Sequence, residues 1–216
     1  MDEYLIQYLK NLLPPKQDWV IDLERQAKEN NVPIMDPLSM NFVMQLIRLH
    51  KPKRILEIGT AIGYSALCML EANPKATITT IEKDEKRYEE AFTNIKKHHK
   101  ENRIKVIHGD AFDVLEILSA RGELFDCIFI DASKAQYKRF FKQSVAMLNA
   151  CGLVISDNVL FKGHIAHPEA KHPRYKTIIK RLRAYNQFLA NHAEFTNTIV
   201  PIGDGIAISY KQHPTK

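Results

Sequence analysis

Apolar and polar residues follow two successive patterns along the chain. Up to residue 50 the apolar positions recur at helical spacing, which predicts helices over residues 4–13, 18–29 and 37–50. Pro14 and Pro15 separate the first two helices because proline interrupts helical hydrogen bonding. From residue 53 onwards, short β-branched runs alternate with helical segments. The runs predict strands over residues 54–58, 77–81, 104–107, 125–130, 152–155, 196–200 and 205–210, with helices over 64–71, 84–100, 111–120, 135–149 and 174–191.

This alternation of strands and helices predicts an α/β fold. Strand–helix repeats favour a doubly wound, mostly parallel sheet with helices on both faces. The last two strands are joined only by a short turn at residues 201–205, so we expect them to pair antiparallel. Residues 1–50 should form a helical cap on a single domain that spans residues 1–216.

Composition narrows the class of protein. Apolar residues make up 45% of the 216 positions, which is enough for a sizeable core and excludes global disorder. No segment has the roughly 18 apolar residues of a membrane span, and the N-terminus does not resemble a secretory signal. Cys68, Cys127 and Cys151 lack the spacing of a metal site, so free thiols in the cytoplasm are expected.

The charge balance bears on the partner. There are 31 Lys and Arg against 25 Asp and Glu, a formal net charge of +6. This surplus favours an anionic partner such as a nucleotide or a nucleic acid. Many soluble enzymes carry a similar charge without binding nucleic acid, so charge alone supports both interpretations equally.

Ligands of doubly wound sheets bind at the carboxyl ends of the strands, so the residues there are the most informative. Gly59 and Gly63 follow the first strand with G-x-x-x-G spacing, which differs from the dinucleotide pattern and disfavours a dehydrogenase. Glu82 ends the second strand, where an acid can bind ribose hydroxyls; alone it would be interpreted as a solvated acid. Asp110 after the third strand suits an adenine amino group, a helix N-cap, or both.

Two further strands end in oxygen ligands. Asp131 follows the fourth strand, and Asp157 and Asn158 follow the fifth. Carboxylate and amide oxygens suit Mg²⁺, Mn²⁺ or Ca²⁺ better than zinc. Helix capping and a turn are the alternative, but acids on neighbouring strand ends favour a metal. Lys134 lies three residues beyond Asp131, where a lysine can act as a general base, although most lysines are merely exposed.

Taken together, these residues resemble those of a known family. They are similar to motifs of the cation-dependent O-methyltransferases of catechol and caffeoyl-CoA. The similar stretches are Glu57-Ile-Gly-Thr-Ala-Ile-Gly-Tyr-Ser65, Glu82, Gly109-Asp110-Ala111, Asp131-x-x-Lys134-x-x-Tyr137 and Asp157-Asn158-Val159. The resemblance covers about residues 30–210. It implies a Rossmann-like seven-stranded sheet with a reversed last strand, and transfer of a methyl group from S-adenosylmethionine to a hydroxyl that lies beside a second, Mg²⁺- or Mn²⁺-bound oxygen.

The resemblance also implies a role for each matching position. Lys134 would be the catalytic lysine, while Asp131, Asp157 and Asn158 would bind the metal. The expected cofactor-binding residues are Met35 at the reactive end, Ser65 at the methionine carboxylate, Glu82 at the ribose, Asp110 at the adenine, and Asp131 against the cofactor. Members of this family commonly form homodimers through the helical N-terminal region, so a homodimer is expected here.

Within the family, three stretches are similar to the branch of bacterial tRNA 5-hydroxyuridine methyltransferases. These are residues 55–65, 157–163 and 201–209. The similarity implies formation of 5-methoxyuridine at the wobble position, with the tRNA anticodon region as partner. The alternatives are a small catechol-like phenol as substrate, or a non-catalytic protein that binds nucleotides or RNA.

Basic residues near the C-terminus give weaker support for RNA. Six Lys or Arg and no acid lie between Lys171 and Arg183. On a helix, Lys176, Lys180 and Arg183 share one face opposite the apolar residues Ile178, Leu182, Tyr185 and Leu189. That face can bind phosphates, and an ordinary solvated face is about equally compatible. Lys162 is another candidate phosphate contact, whereas His164, His167 and His172 are interpreted as loop residues.

Overall fold

The computed structural model describes residues 3–167 and 173–213. Helices α1 (Glu3–Asn11), α2 (Asp18–Glu29) and α3 (Pro37–His50) precede the sheet, and Asp36 caps α3 by accepting from Leu38 N. The remaining elements are β1 (Arg54–Ile58), α4 (Tyr64–Ala72), β2 (Thr77–Glu82), α5 (Glu85–Lys97), β3 (Ile104–His108), α6 (Ala111–Ala120), β4 (Phe125–Ile130), α7 (Tyr137–Ser144), β5 (Leu148–Ser156), α8 (Lys176–Ala190), β6 (Phe195–Val200) and β7 (Ile206–Lys211).

The seven strands form one sheet in the order β3-β2-β1-β4-β5-β7-β6. Strands β1 to β5 pair in parallel, whereas β7 is antiparallel to both of its neighbours, β5 and β6. The prediction of a Rossmann-like sheet with a reversed last strand is therefore confirmed. The chain runs outwards from β1 to β3 and then returns to β4 on the other side of β1. This change of direction places the crevice of the fold between β1 and β4.

The helix predicted over residues 135–149 and the strand predicted over residues 152–155 differ most from the structure in extent. The helix predicted over residues 135–149 is α7, with 3₁₀ turns at Lys134–Gln136 and Val145–Met147, and β5 already begins at Leu148. Phe125 pairs with Leu148 but Cys127 pairs with Leu153, so β5 has extra residues that bulge away from β4. Cys151 has a φ of 59° in this bulge. The bulge hides the period-two pattern that would have marked the start of the strand.

The core lies on both faces of the sheet, because β1 is buried on each side. Ile55 packs against the helices of the cap, while Leu56 faces the side covered by α6, α7 and α8. Such two-sided burial is what a continuous apolar strand predicts. In the part of the chain that the structure describes, no helix is long and apolar enough to cross a membrane.

Candidate active site

A cleft of about 510 Å³ lies at the carboxyl ends of the parallel strands, within the range of small-molecule sites. Every site residue predicted from the sequence lines this cleft: Met35, Ser65, Glu82, Asp110, Asp131, Lys134, Asp157 and Asn158. The placement agrees with the strand-end rule. The chemical role of each residue stays a prediction.

Gly59 brings the ends of three strands together. It has a φ of +102°, and its N–H donates to the carbonyl oxygen of Ile81 at 3.0 Å, at the end of β2. A Cβ at this position would overlap the carbonyl oxygen of Asp131 and lie 2.9 Å from its carbonyl carbon. Only glycine combines this backbone conformation with so close an approach. The loop after β1 therefore packs directly on the residue that follows β4.

Glu82 is fixed in the cleft by main-chain donors. Its Oε2 accepts from Ala61 N at 2.8 Å, and its Oε1 accepts from Lys83 N and Asp84 N at 2.9 Å each. The side chain is buried against the glycine loop, so its carboxylate has one orientation. A carboxylate held in this way can accept from a vicinal diol through its remaining lone pairs.

Asp110 caps α6, as one of its two predicted roles requires. Its Oδ1 accepts from Phe112 N at 2.9 Å, and its Oδ2 lies 3.8 Å from Lys83 Nζ. Beside it, the rings of Phe112 and Phe140 stack with centroids 4.6 Å apart and line the same end of the cleft. The guanidinium of Arg139 lies 3.7 Å from the centroid of the Phe112 ring. The cleft thus has two aromatic rings next to a carboxylate, a combination that suits a purine ring.

Ser65 lies in a buried polar network that the sequence analysis did not assign. Its hydroxyl donates to Glu57 Oε1 at 2.5 Å, and the hydroxyl of Thr80 donates to Glu57 Oε2 at 2.5 Å. Thr60 in turn bonds to Thr80 at 2.6 Å. Glu57 is fully buried, and burial raises its pKa to about 8. An acid inside the apolar strand β1 was the available sequence signal for this network.

The acids predicted to bind a metal meet at the other end of the cleft. Asp157 is 1% exposed, and its Oδ2 accepts from Asn158 Nδ2 at 2.7 Å. Lys134 Nζ donates to Asn158 Oδ1. Burial, and then the charge of Asp131, raise the pKa of Asp157. Asp131 is partly exposed to the cleft but enclosed by protein elsewhere; this desolvation raises its pKa, and the charge of Lys134 opposes the shift.

The donor set fits a hard divalent cation. Among the described residues, no group of three or more His, Cys, Asp and Glu side chains could hold a metal, and the expected set has only two acids beside one amide. Asp157 Oδ1 is buried and has no hydrogen-bond partner within the described part of the chain. Since a buried carboxylate oxygen is costly without a partner, this oxygen is suited to Mg²⁺ or Mn²⁺.

The N-terminal cap closes one side of the cleft. Met35 is 3% exposed and lines the wall. The hydroxyl of Tyr64, at the start of α4, donates to Glu24 Oε1 in α2 at 3.1 Å. This bond ties the cap to the glycine loop.

The basic face predicted on α8 is only partly available to a ligand. Lys176 and Lys180 are exposed, but Arg183 Nε donates to the carbonyl oxygen of Ile165 at 2.8 Å and its Nη2 donates to that of His167. Arg183 therefore holds the segment after Asn158 instead of extending into solvent. Lys171 and His172 lie outside the described residues. The buried side of α8 consists of Ile179, Leu182, Tyr185 and Leu189, with Ile178 at its margin.

The sequence analysis missed an aromatic cluster that begins three residues after Asn158, one of the residues predicted to bind a metal. The rings of Phe161 and Tyr175 meet edge to face at 5.3 Å, and the ring of His164 lies 5.5 Å from Phe161 and 5.8 Å from Tyr175. Phe161 and His164 are three residues apart, but Tyr175 lies 11 residues further along the chain, so no pattern within one element links all three. His164 was interpreted as a loop histidine, whereas the structure places it in this cluster.

A family model described as O-methyltransferase matches residues 16–212, nearly the whole chain. The chain belongs to the O-methyltransferase family. A caffeoyl-CoA O-methyltransferase from Stellaria longipes is 28% identical over 213 residues, which cover 94% of this chain and 88% of that protein.

Solved structures of this family have the same fold. A Staphylococcus aureus protein, provisionally described as a caffeoyl-CoA O-methyltransferase, shares 36% identity at a TM-score of 0.89, with 97% of this chain and 100% of that chain covered. The O-methyltransferase from Bacillus cereus, in complex with SAH, shares 25% identity at a TM-score of 0.85, with 97% of each chain covered.

Proposed function

We propose that this O-methyltransferase uses S-adenosylmethionine and a divalent cation to methylate 5-hydroxyuridine at the tRNA wobble position. The observation that carries the reaction type is the buried Asp157 Oδ1, which has no hydrogen-bond partner among residues 3–167 and 173–213 and lies in the same cleft as Asp131, Asn158 and Lys134. These groups lie in the same cleft as the glycine loop and Glu82. One cleft can therefore hold the methyl donor and the acceptor side by side.

The donor end of the proposal rests on Glu82 and the two aromatic rings beside Asp110. Glu82 would accept from the ribose hydroxyls, since its orientation is already fixed by three main-chain N–H groups. Asp110 would accept from the adenine amino group beside Phe112, and Met35 would pack near the sulfonium. The Bacillus cereus relative was solved with SAH, which supports this choice of donor.

The acceptor end rests on Asp131, Asp157 and Asn158, which would hold Mg²⁺. When bound, that ion lowers the pKa of a chelated substrate hydroxyl and orients it. Lys134, whose Nζ already donates to Asn158 Oδ1, would take the hydroxyl proton at Nζ. Met35 and the cap exclude water from the reacting atoms. Alignment of the acceptor oxygen with the methyl group then supplies much of the rate.

The charge around the acceptor end supports RNA as substrate. Between residues 158 and 193 there are seven Lys or Arg, namely Lys162, Lys171, Arg174, Lys176, Lys180, Arg181 and Arg183, against the single acid Glu169. Of these, Lys162, Arg174, Lys176, Lys180 and Arg181 are exposed in the described part of the chain. Exposed cations in this number favour a polyanion and make binding salt-sensitive. In 5-hydroxyuridine the hydroxyl lies beside the O4 oxygen, so the base can chelate a cation as a catechol does.

The competing substrate is a small catechol-like phenol, in keeping with the Stellaria longipes relative. It would use the same catalytic residues. The two substrates differ in whether the exposed lysines of α8 contribute to binding.

The test is methyl transfer from labelled S-adenosylmethionine to tRNA that carries 5-hydroxyuridine, with EDTA and with restored Mg²⁺. We expect 5-methoxyuridine only when metal is present. Turnover of a catechol without turnover of the tRNA would overturn the proposed substrate.

A substitution tests the metal assignment. Asp157→Ala should abolish transfer, whereas Asp113→Asn, which changes an exposed acid on α6, serves as the matched control. Full activity of Asp157→Ala would overturn the metal assignment.

A further inference from the structure

Residues 158–167, which begin at the expected metal ligand Asn158, form a segment that we call the arch. At its start, Val159 N donates to Gly205 O at 3.0 Å and Leu160 N donates to Asp204 O at 2.8 Å, which joins the arch to the turn before β7. Asn186 Nδ2 of α8 donates to Val159 O at 3.0 Å. At the far end, Arg183 binds the carbonyl oxygens of Ile165 and His167. Both ends are thus anchored.

The middle of the arch has an unusual backbone. Phe161, Lys162 and Gly163 have φ values of 46°, 53° and 76°, three left-handed residues in succession, and Asn158 has a φ of 55°. A bulky aromatic residue rarely adopts this conformation. Strained residues persist where the surrounding structure enforces them, and they concentrate at binding and catalytic sites. This conformation holds the ring of Phe161 three residues from a cleft-lining amide, Asn158.

The rings of Phe161, His164 and Tyr175 lie together on this arch. All three side chains are partly exposed, and Phe161 also packs against the core. Lys162 lies between two of them in sequence and is exposed, and Lys176 follows Tyr175 at the start of α8. The surface therefore combines aromatic faces with exposed cations, which is how proteins bind single-stranded nucleic acid.

Helix α8 connects this arch to the catalytic turn. Arg181 Nη1 donates to the carbonyl oxygen of Ala135 at 3.4 Å, in the 3₁₀ turn that carries Lys134. Two residues later, Arg183 holds the arch. The turn that carries Lys134 therefore lies on one side of the acceptor end of the cleft, and the arch lies on the other. A base bound in the cleft would have its chain neighbours beside the aromatic cluster.

We propose that Phe161, His164 and Tyr175 form a stacking platform for the RNA base next to the methylated uridine. The platform rests on the proposed tRNA substrate and deepens it, since it selects a nucleotide within a strand over a free nucleoside. Base recognition in single-stranded RNA commonly uses such stacking on aromatic side chains. Lys162 would contact the adjoining phosphate.

The experiment compares a short hairpin that carries 5-hydroxyuridine with the free nucleoside 5-hydroxyuridine, both as methyl acceptors. Phe161→Leu and Tyr175→Leu should reduce the preference for the hairpin roughly tenfold or more, as expected for loss of one base stack. Lys162→Asn should flatten the salt dependence, because asparagine tolerates the left-handed backbone but lacks the charge. Phe92→Leu, an exposed aromatic on α5, should keep the preference.

A second pair of hairpins locates the contact. Each carries an abasic site on one side of the 5-hydroxyuridine. If Phe161 stacks on the base next to the 5-hydroxyuridine, the wild-type protein should bind one of the two abasic hairpins more weakly than the intact hairpin. Phe161→Leu should bind that abasic hairpin as weakly as the intact one, because the stacking contact is already lost. The platform would be overturned if the substitution and the abasic site weakened binding additively with both hairpins. It would also be overturned if Phe161→Leu kept the preference for the hairpin over the free nucleoside. Failure of the wild-type protein to methylate any hairpin would instead overturn the proposed substrate. A circular-dichroism melt of each variant separates misfolding from lost binding.

Discussion

Gly59 and Asp131 are packed so closely that the glycine has no room for a side chain. The contact holds the loop after β1 against the end of β4, with Gly59 at a φ of +102°. Gly59→Ala should cost about 1–3 kcal/mol through the backbone conformation alone, and the overlap with the Asp131 carbonyl adds to this. We therefore expect a lower unfolding midpoint and weaker binding of S-adenosylmethionine.

Gly122 provides the matched control for that substitution. Its φ is +67°, but a Cβ there would meet nothing within 4 Å. Gly122→Ala should therefore show only the conformational cost in urea unfolding. Equal losses of stability for the two variants would contradict a specific role for the Gly59–Asp131 contact.

Glu57 should make the stability of the fold depend on pH. Burial raises its pKa from 4.5 to about 8, so the folded protein keeps this proton in a pH range where the unfolded chain has lost it. The unfolded state then binds fewer protons, and stability falls as pH rises between these two values and levels off above them. The slope from this one group is at most about 1.4 kcal/mol per pH unit.

Glu57→Gln tests this prediction because glutamine cannot titrate. Urea unfolding at several pH values between 5 and 8, which lie within this window, should give a flatter stability profile for the variant than for wild type. The pKa values of Asp131 and Asp157 are raised too, but both residues are present in both proteins, so the difference between the two profiles reports mainly on Glu57. Parallel profiles would show that Glu57 is ionised in the folded state.

Replacement of Glu82 should weaken binding of the methyl donor. In Glu82→Gln the side-chain NH₂ group would face main-chain N–H donors in place of an acceptor oxygen. Loss of a charged hydrogen bond of about 1.5–3 kcal/mol corresponds to roughly a tenfold to hundredfold rise in Kd. Calorimetry with S-adenosylmethionine measures this effect. Glu85→Gln, an exposed acid in the first turn of α5, should bind as wild type does.

Lys134 should affect the chemical step more than binding. Lys134→Gln should lower kcat by about 10²–10⁴, the usual contribution of a general base, while the Kd for S-adenosylmethionine changes little. Lys134→Arg keeps the donor to Asn158 but is a poor base, so it should not restore kcat. Lys138→Gln, an exposed lysine on α7, is the control. A comparable fall in that variant would indicate a general effect of surface charge.

Much of the fold was readable from the sequence because its signals are local. The apolar runs marked β1 and β4 to the residue, and Asp110 was recognised as a possible N-cap from its position before α6. The strand-end rule then predicted which side chains line one cleft. This worked because parallel strands necessarily bring their carboxyl ends to the same edge of the sheet.

What could not be predicted depends on tertiary contacts. Arg183 was placed on a phosphate-binding face from helical spacing, but it binds main-chain carbonyls of the arch, which lie 16 and 18 residues away in sequence. Ser65 lines the cleft and its role at the cofactor stays a prediction, but its hydroxyl donates to Glu57, a partner that the sequence did not indicate. In both cases the residue type indicated a polar interaction, but the sequence did not indicate its partner. The spacing of residues along one element carries no information about which element packs against it.

The strand order separates the cleft into two parts that are also separate along the chain. Residues 54–110 supply the glycine loop, Glu82 and Asp110, and residues from 125 onwards supply the acids, Lys134 and the arch. Mutations in the arch and on α8 that alter what is methylated can therefore accumulate without disturbing Glu82 and Asp110, which would hold the donor. Descendants of such a protein can acquire new acceptors while they inherit Glu82 and Asp110 unchanged, provided that Gly59 still packs the loop after β1 against the end of β4.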